Sequence, residues 1–147
     1  MTIDFIEENK IKTEDLSMRV RAILGVPEEF LTEEVISSPI FIEKANKYIN
    51  KKISEYSQLD ESLINIAFVY YVCYLLCAGM YSRLPKQMEN VNTKTILQNI
   101  DWDKKALDML DQCNETLEEA ISEFEDIQYG DSFAVLTDSS EYPNTLI

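Results

Sequence analysis

Apolar residues recur every three or four positions in three stretches of the chain and fill a fourth almost without a break. Spacing of that kind places side chains on one face of a helix. The first stretch, KTEDLSMRVRAILG, puts Leu16, Val20, Ile23 and Leu24 on one stripe. Thr13 stands where a cap is needed, acids occupy the first turn, and Gly25 can close the helix. The connector VPEEFLTEEVISS predicts one helical turn around Glu33. Ser38-Pro39 then opens a second long helix, with Ser as N-cap and Pro at the first helical position, running to about Tyr56. Its apolar face is Phe41, Ala45, Tyr48, Ile49, Ile53 and Tyr56; Lys44, Lys47 and Lys51 form a stripe on another face.

The unbroken stretch is SLINIAFVYYVCYLLCAGMYS, Ser62 to Ser82, which has no charged side chain and one amide, Asn65. Asp60 caps it and Pro85 ends it, giving a helix of roughly 35 Å at 1.5 Å per residue. A helix apolar on every side is either a central core helix or a bilayer span. The strict apolar run, Ile66 to Tyr81, is shorter than the roughly 20 residues a span needs. Tyr70, Tyr71 and Tyr74 would sit near mid-bilayer, whereas Tyr prefers the membrane interface. The amphipathic helices also need an apolar partner, which this one supplies. We read it as the core.

The fourth helix spans roughly Asp103 to Asp126, after a connector, RLPKQMENVNTKTILQNI, with room for one more short helix. Ala106, Leu110, Cys113, Leu117, Ala120 and Phe124 form a seam of coiled-coil spacing that should pack on the third helix. Opposite the seam, Asp111, Glu115, Glu119 and Glu123 stack along one line, flanked by Asp108 and Glu118. Like charges at that spacing cost a few tenths of a kcal/mol per pair. The stripe is either a solvated face or a surface that repels something or meets a basic partner. No pocket with unequal environments marks a catalytic carboxylate pair, and no loop shows the calcium-binding alternation of acids followed by Gly.

Composition narrows the classes. The 147 residues suffice for one bundle with a real core, and the scarcity of Gly (3) and Pro (4) favours long helices. The formal net charge is −14, from 13 Lys and Arg against 27 Asp and Glu, which disfavours simple attraction to nucleic-acid phosphates or anionic lipid. The absence of His removes the usual neutral-pH general base and the commonest metal ligand. Cys73 and Cys77 lie one turn apart inside the apolar run, so the three Cys read as buried free thiols of a reducing compartment rather than as a metal or redox group. The N-terminus, MTIDFIEENK, has no basic region followed by an apolar one, and no signal peptide is read there.

The end of the chain changes character. IQYGDSFAVLTDSSEYPNTLI is punctuated by Gly130 and Pro143, contains a strand-like SFAVLT, and has no Lys or Arg. Its apolar Phe133, Val135, Leu136, Tyr142, Leu146 and Ile147 exceed what a solvated tail requires. It either folds back on its own domain or docks on another chain, for instance by adding a strand. The expected fold is therefore all-α: a bundle of about four main helices around a central apolar helix (residues 1–128), with an extended C-terminal docking tail (residues 129–147).

RAILGVPEEFLTEEVISSPIFIEKANKYI, the tyrosine-rich apolar helix, GMYSRLPKQ and NIDWDKKALDMLDQCNETLEEAI together resemble the head-tail connector proteins of tailed phages and prophages, also called adaptor, head-completion or DNA-packaging proteins. The resemblance covers Leu16 to Glu125; its most telling pieces are SRLP at Ser82 to Pro85 and IDW at Ile100 to Trp102. It implies a structural protein of the virion neck, assembled in the host cytoplasm, with no enzymatic activity, cofactor or metal. It also implies a ring, typically twelvefold, below the portal protein, which extends the DNA channel, carries DNA only as cargo, docks the next tail or neck component and involves no membrane. In such a ring Lys44, Lys47 and Lys51 and the acids Asp111, Glu115, Glu119 and Glu123 are candidate inter-subunit or channel charges. The rival reading is an acidic DNA mimic that inhibits a nuclease or another nucleic-acid-binding protein.

Overall fold

The computed structural model describes residues 2–56, 58–80 and 99–140, with side chains described as far as Glu125. Five helices run through these residues, with no strand among them: α1 (Thr13–Leu24), α2 (Glu33–Ile36), α3 (Pro39–Ile53), α4 (Glu61–Ala78) and α5 (Trp102–Ser140). The protein is an all-α helical bundle.

Most of the elements start and stop for the reasons the sequence offers. Gly25 closes α1 at φ +68°, a left-handed conformation that suits a residue without Cβ, and its N–H bonds Arg21 O at 2.8 Å. Thr32 caps the single turn α2 by accepting from Val35 N–H at 3.4 Å. Ser38 and Pro39 open α3 at the expected positions, though the Ser38 side chain makes no capping hydrogen bond. Asp60 caps α4, its carboxylate accepting from Ser62 N–H at 2.9 Å. Asp101 does the same for the start of α5, accepting from Lys104 N–H at 3.0 Å.

Two boundaries differ, and a third expected one lies outside the described residues. Thr13 is the first helical residue of α1, not its cap; Lys12 holds the cap position, and the Thr13 hydroxyl donates to Glu33 Oε2 at 3.4 Å, tying α1 to α2. α3 ends at Ile53 rather than Tyr56, with Ser54 as C-cap and a tight turn in which Tyr56 N–H bonds Ile53 O. The described part of α4 is capped by Gly79; Pro85, the SRLP piece and the expected short helix in residues 81–98 lie outside the described residues.

The largest difference is at the C-terminal end. α5 runs unbroken for 39 residues through Ser140, so residues 129–140 are helical where an extended segment is expected. Glycine in a helix interior costs only about 1 kcal/mol relative to Ala, and Gly130 alone does not stop a helix whose next proline is Pro143. Phe133, Val135 and Leu136 therefore belong to the helical segment, while Tyr142, Leu146 and Ile147 lie outside the described residues.

α4 is the hub: α1, α3 and α5 all pack on it, α5 most extensively. Its buried set, Ile64, Ala67, Phe68, Val69, Val72, Cys73, Leu76 and Cys77, wraps most of its circumference. Among the described residues it is the one helix long and apolar enough to cross a membrane, by length and composition alone. α5 runs antiparallel to it. Lys105 lies beside Cys73 and Cys77 near the C-terminal end of α4, and Cys113 lies beside Tyr71 further back. The seam of α5 faces inward, with Ala106, Cys113, Leu117 and Ala120 buried and Leu110 and Phe124 half-buried. Trp102 anchors its first turn, fully buried. Lys105 Nζ donates to Leu24 O at 3.3 Å, so one lysine from α5 satisfies a terminal carbonyl of α1.

Residues 2–11 form an arm along α3 and α4. Asn46 and Asn50, one turn apart on α3, act as backbone substitutes: Ile3 N–H donates to Asn50 Oδ1 at 2.6 Å, Asn50 Nδ2 donates to Ile3 O at 2.6 Å, and Phe5 N–H donates to Asn46 Oδ1 at 3.2 Å. The Phe5 ring then stacks on Phe68 of α4, centroids 4.5 Å apart and planes 21° from parallel. Asn65 of α4 donates to Lys10 O at 3.1 Å, and Lys10 pairs with Glu61 at 3.4 Å, closing the arm.

Candidate interaction surfaces

Each charged residue singled out in the sequence is on the surface. Lys44, Lys47 and Lys51 are exposed on α3. At about 100° per residue they share an arc of about 60°, on the side of α3 away from the buried Ala45, Ile49 and Ile53. Asp111, Glu115, Glu119 and Glu123 are exposed on α5 opposite its seam, as are Asp108 and Glu118. No ion pair joins the two groups: among the described residues the ion pair is Lys10–Glu61.

The side of α3 that does meet α5 is aromatic. Tyr48 stacks on Tyr71 of α4, centroids 4.2 Å apart, and donates its hydroxyl to Asn114 Oδ1 of α5 at 2.7 Å. Lys52 also lies over the Tyr48 ring, 5.3 Å from its centroid. Tyr56, just beyond α3, meets Phe124 edge to face at 5.7 Å. The fourth lysine of α3, itself exposed, thus has an aromatic neighbour within the chain.

Two hollows flank the arm. One, of about 320 Å³, lies between the arm and α4, walled by Phe5, Ile53, Leu59 and Ile64 and bridged by Lys10 and Glu61. The other is an open groove of about 830 Å³ between the arm and α3, with Ile3, Ile6, Pro39 and Ile42 along it and Lys47 and Lys51 on its outer edge. Ile40, 57% exposed, lies on the same helix turn as Pro39.

The thiols have no chemical poise. Burial pushes Cys73 above the ordinary thiol range, reinforced by neighbouring Cys77; burial raises Cys77 to about 11 and Cys113 to about 12, with Lys105 and Lys52 offsetting part of the effect. Burial also raises the Tyr71 hydroxyl, with Tyr74 and Tyr48 adding to it. Among the described residues no group of three His, Cys, Asp or Glu is placed to hold a metal ion.

Sequence reading assigns the arm no packing role. The signals were there: Ile3, Phe5, Ile6 and Ile11 are apolar, and Asn46 and Asn50 put two amides on one side of an otherwise charged helix. No protein-family model, curated protein or solved structure matches the chain.

Proposed function

We propose that the chain is a structural head-tail connector of a tailed phage or prophage, acting in the virion neck as a ring of copies below a portal protein and not as an enzyme. The proposal starts from the resemblance of Leu16 to Glu125 to that family. The observation that carries it further is the length of α5. Its 39 residues reach about 58 Å, while the 18 residues of α4 reach about 27 Å. Roughly half of α5 therefore reaches beyond the length of α4, and in this reading that half meets another protein. The helix through Ser140 changes the expected mode of docking from an added strand to a helix laid in a partner's groove. In this reading the portal or the next neck component supplies that groove, and residues 129–147 fill it. The net charge of −14 keeps DNA passing through the channel from adhering.

The IDW piece also has a local explanation. Asp101 caps α5 and Trp102 is its buried anchor, so the motif starts the long helix whatever the protein docks on.

The exposed line of carboxylates on α5 favours a second reading, an acidic DNA mimic that blocks a nuclease. Mass in solution and in the particle separates the two. A large assembly beside a portal supports the connector; a monomer that titrates a nuclease one to one supports the mimic. For the docking role, a chain ending at Tyr129 should keep its bundle and its thermal midpoint within a few degrees, yet fail to join the particle. A truncated chain that assembles normally would remove the role from the C-terminal segment.

A further inference from the structure

The outward faces of α3 and α5 carry opposite charge, and neither finds its counterpart inside the chain. Both helices pack on α4 through their apolar sides, so each turns its charged side away from the hub. The two stripes cannot meet within one copy without unpacking the core. On a chain with twice as many acids as bases, a stripe of three exposed lysines with no described ion pair is a surface short of a partner. It also runs beside an apolar trough, the groove holding Ile3, Ile6, Pro39 and Ile42, and close to exposed Ile40. An apolar centre with a charged rim is the anatomy of a protein–protein contact.

We infer that the α3 face and its groove are the docking site for a second copy of this chain, whose α5 lays Asp111, Glu115, Glu119 and Glu123 along Lys44, Lys47 and Lys51. Charge selects this occupant, because the outer face of α5 is a line of acids with no described ion pair of its own. Length agrees. The lysines span about 10 Å of helix and the acids about 18 Å, so all three lysines fall within the acidic line. The groove wall also carries Asp4 and Glu7 of the arm and the exposed Glu43 of α3, so an acidic helix is drawn to the line of lysines and held off these three carboxylates. The contact joins unlike faces, α3 of one copy to α5 of the next, and such an interface closes into a ring or runs on as a filament. The inference rests on the connector reading for that closure; the contact itself rests on charge and shape. The charges chiefly set orientation and rate of encounter, and the trough supplies apolar burial.

The test is charge exchange, read as mass by light scattering or sedimentation at low salt. The full-length wild type should self-associate, and added salt should weaken the association. The triple variant Lys44→Glu, Lys47→Glu, Lys51→Glu should associate about 100-fold more weakly or worse, as should the quadruple variant Asp111→Lys, Glu115→Lys, Glu119→Lys, Glu123→Lys. All these positions are exposed, and unchanged circular dichroism verifies the fold of each variant. Combining both sets in one chain should restore association, and so should mixing the two single-face variants. Wild type that stays monomeric at low salt, either reversal associating like wild type, a full exchange that fails to restore, or duplex DNA seated on the lysine face without self-association would each overturn the inference. Wild type that joins a portal ring but ignores both reversals overturns this seam and leaves the connector reading standing. Charge-dependent self-association without incorporation into a particle supports the seam and removes the connector.

Discussion

α4 and α5 lie along each other, yet they are positioned by different kinds of information. α5 is apolar on one side, and that side alone determines which residues face inward. α4 is apolar on every side, so its hydrophobicity sets its place in the bundle but not its rotation. Leu75 and Leu76 are identical side chains in adjacent positions; Leu76 is fully buried and Leu75 only half-buried. Ile66, on the same helix, is 37% exposed. A central helix is easy to find in a sequence and hard to orient, whereas an amphipathic one declares its orientation and leaves its depth to its partners.

The widest gap should appear between the two leucines. Leu76→Asp buries a lone charge at several kcal/mol and should unfold the domain, while Leu75→Asp can turn its carboxylate toward water and should leave a folded protein with a lowered midpoint. Circular dichroism and thermal melts distinguish them; equal damage from both would mean α4 has no preferred rotation. Next comes the anchor of α5. Trp102→Ala should remove about 3–5 kcal/mol, measured by denaturant titration, because a fully buried indole leaves a large cavity.

A smaller effect follows from the thiols between the two helices. Their folded pKa values lie above the unfolded value of about 8.5, so the folded state keeps protons that the unfolded state sheds. Their contribution is intact below about pH 8.5 and falls as pH rises toward the folded values, by at most about 1.4 kcal/mol per thiol per pH unit. Stability measured from pH 8 to 10.5 should decline, and Cys73→Ala with Cys77→Ala should flatten the slope. The smallest effect belongs to the outer side of α5. Changing Asp111, Glu115, Glu119 and Glu123 together to Gln should leave the monomer folded and raise its stability by a few tenths of a kcal/mol per relieved neighbour pair. A loss of several kcal/mol would show that those carboxylates hold the bundle together.

What was legible in the sequence was local. The seam of α5, the Ser38-Pro39 start of α3, the Asp60 cap and the Gly25 stop are all written within a few residues of where they act. The charged stripes were legible for the same reason, since helical spacing alone assigns them to one side. What was not legible depends on distant partners. Thr13 is the first residue of α1 rather than its cap, and its hydroxyl instead donates to Glu33, 20 residues away. The role of Asn46 and Asn50 depends on an arm 41 to 47 residues upstream. Gly130 reads locally as a break, but a single glycine is a small penalty within so long a helix.

That arm also bears on the order of synthesis. Residues 2–11 leave the ribosome before their seat does: the ring on which Phe5 stacks belongs to Phe68, and the amides that hold the backbone belong to Asn46 and Asn50. At about 5–20 residues per second, the arm waits for several seconds with Phe5 and its isoleucines uncovered before its seat exists. It therefore closes only once α3 and α4 are made, and a nascent chain stalled before α4 leaves Phe5 and its isoleucines uncovered.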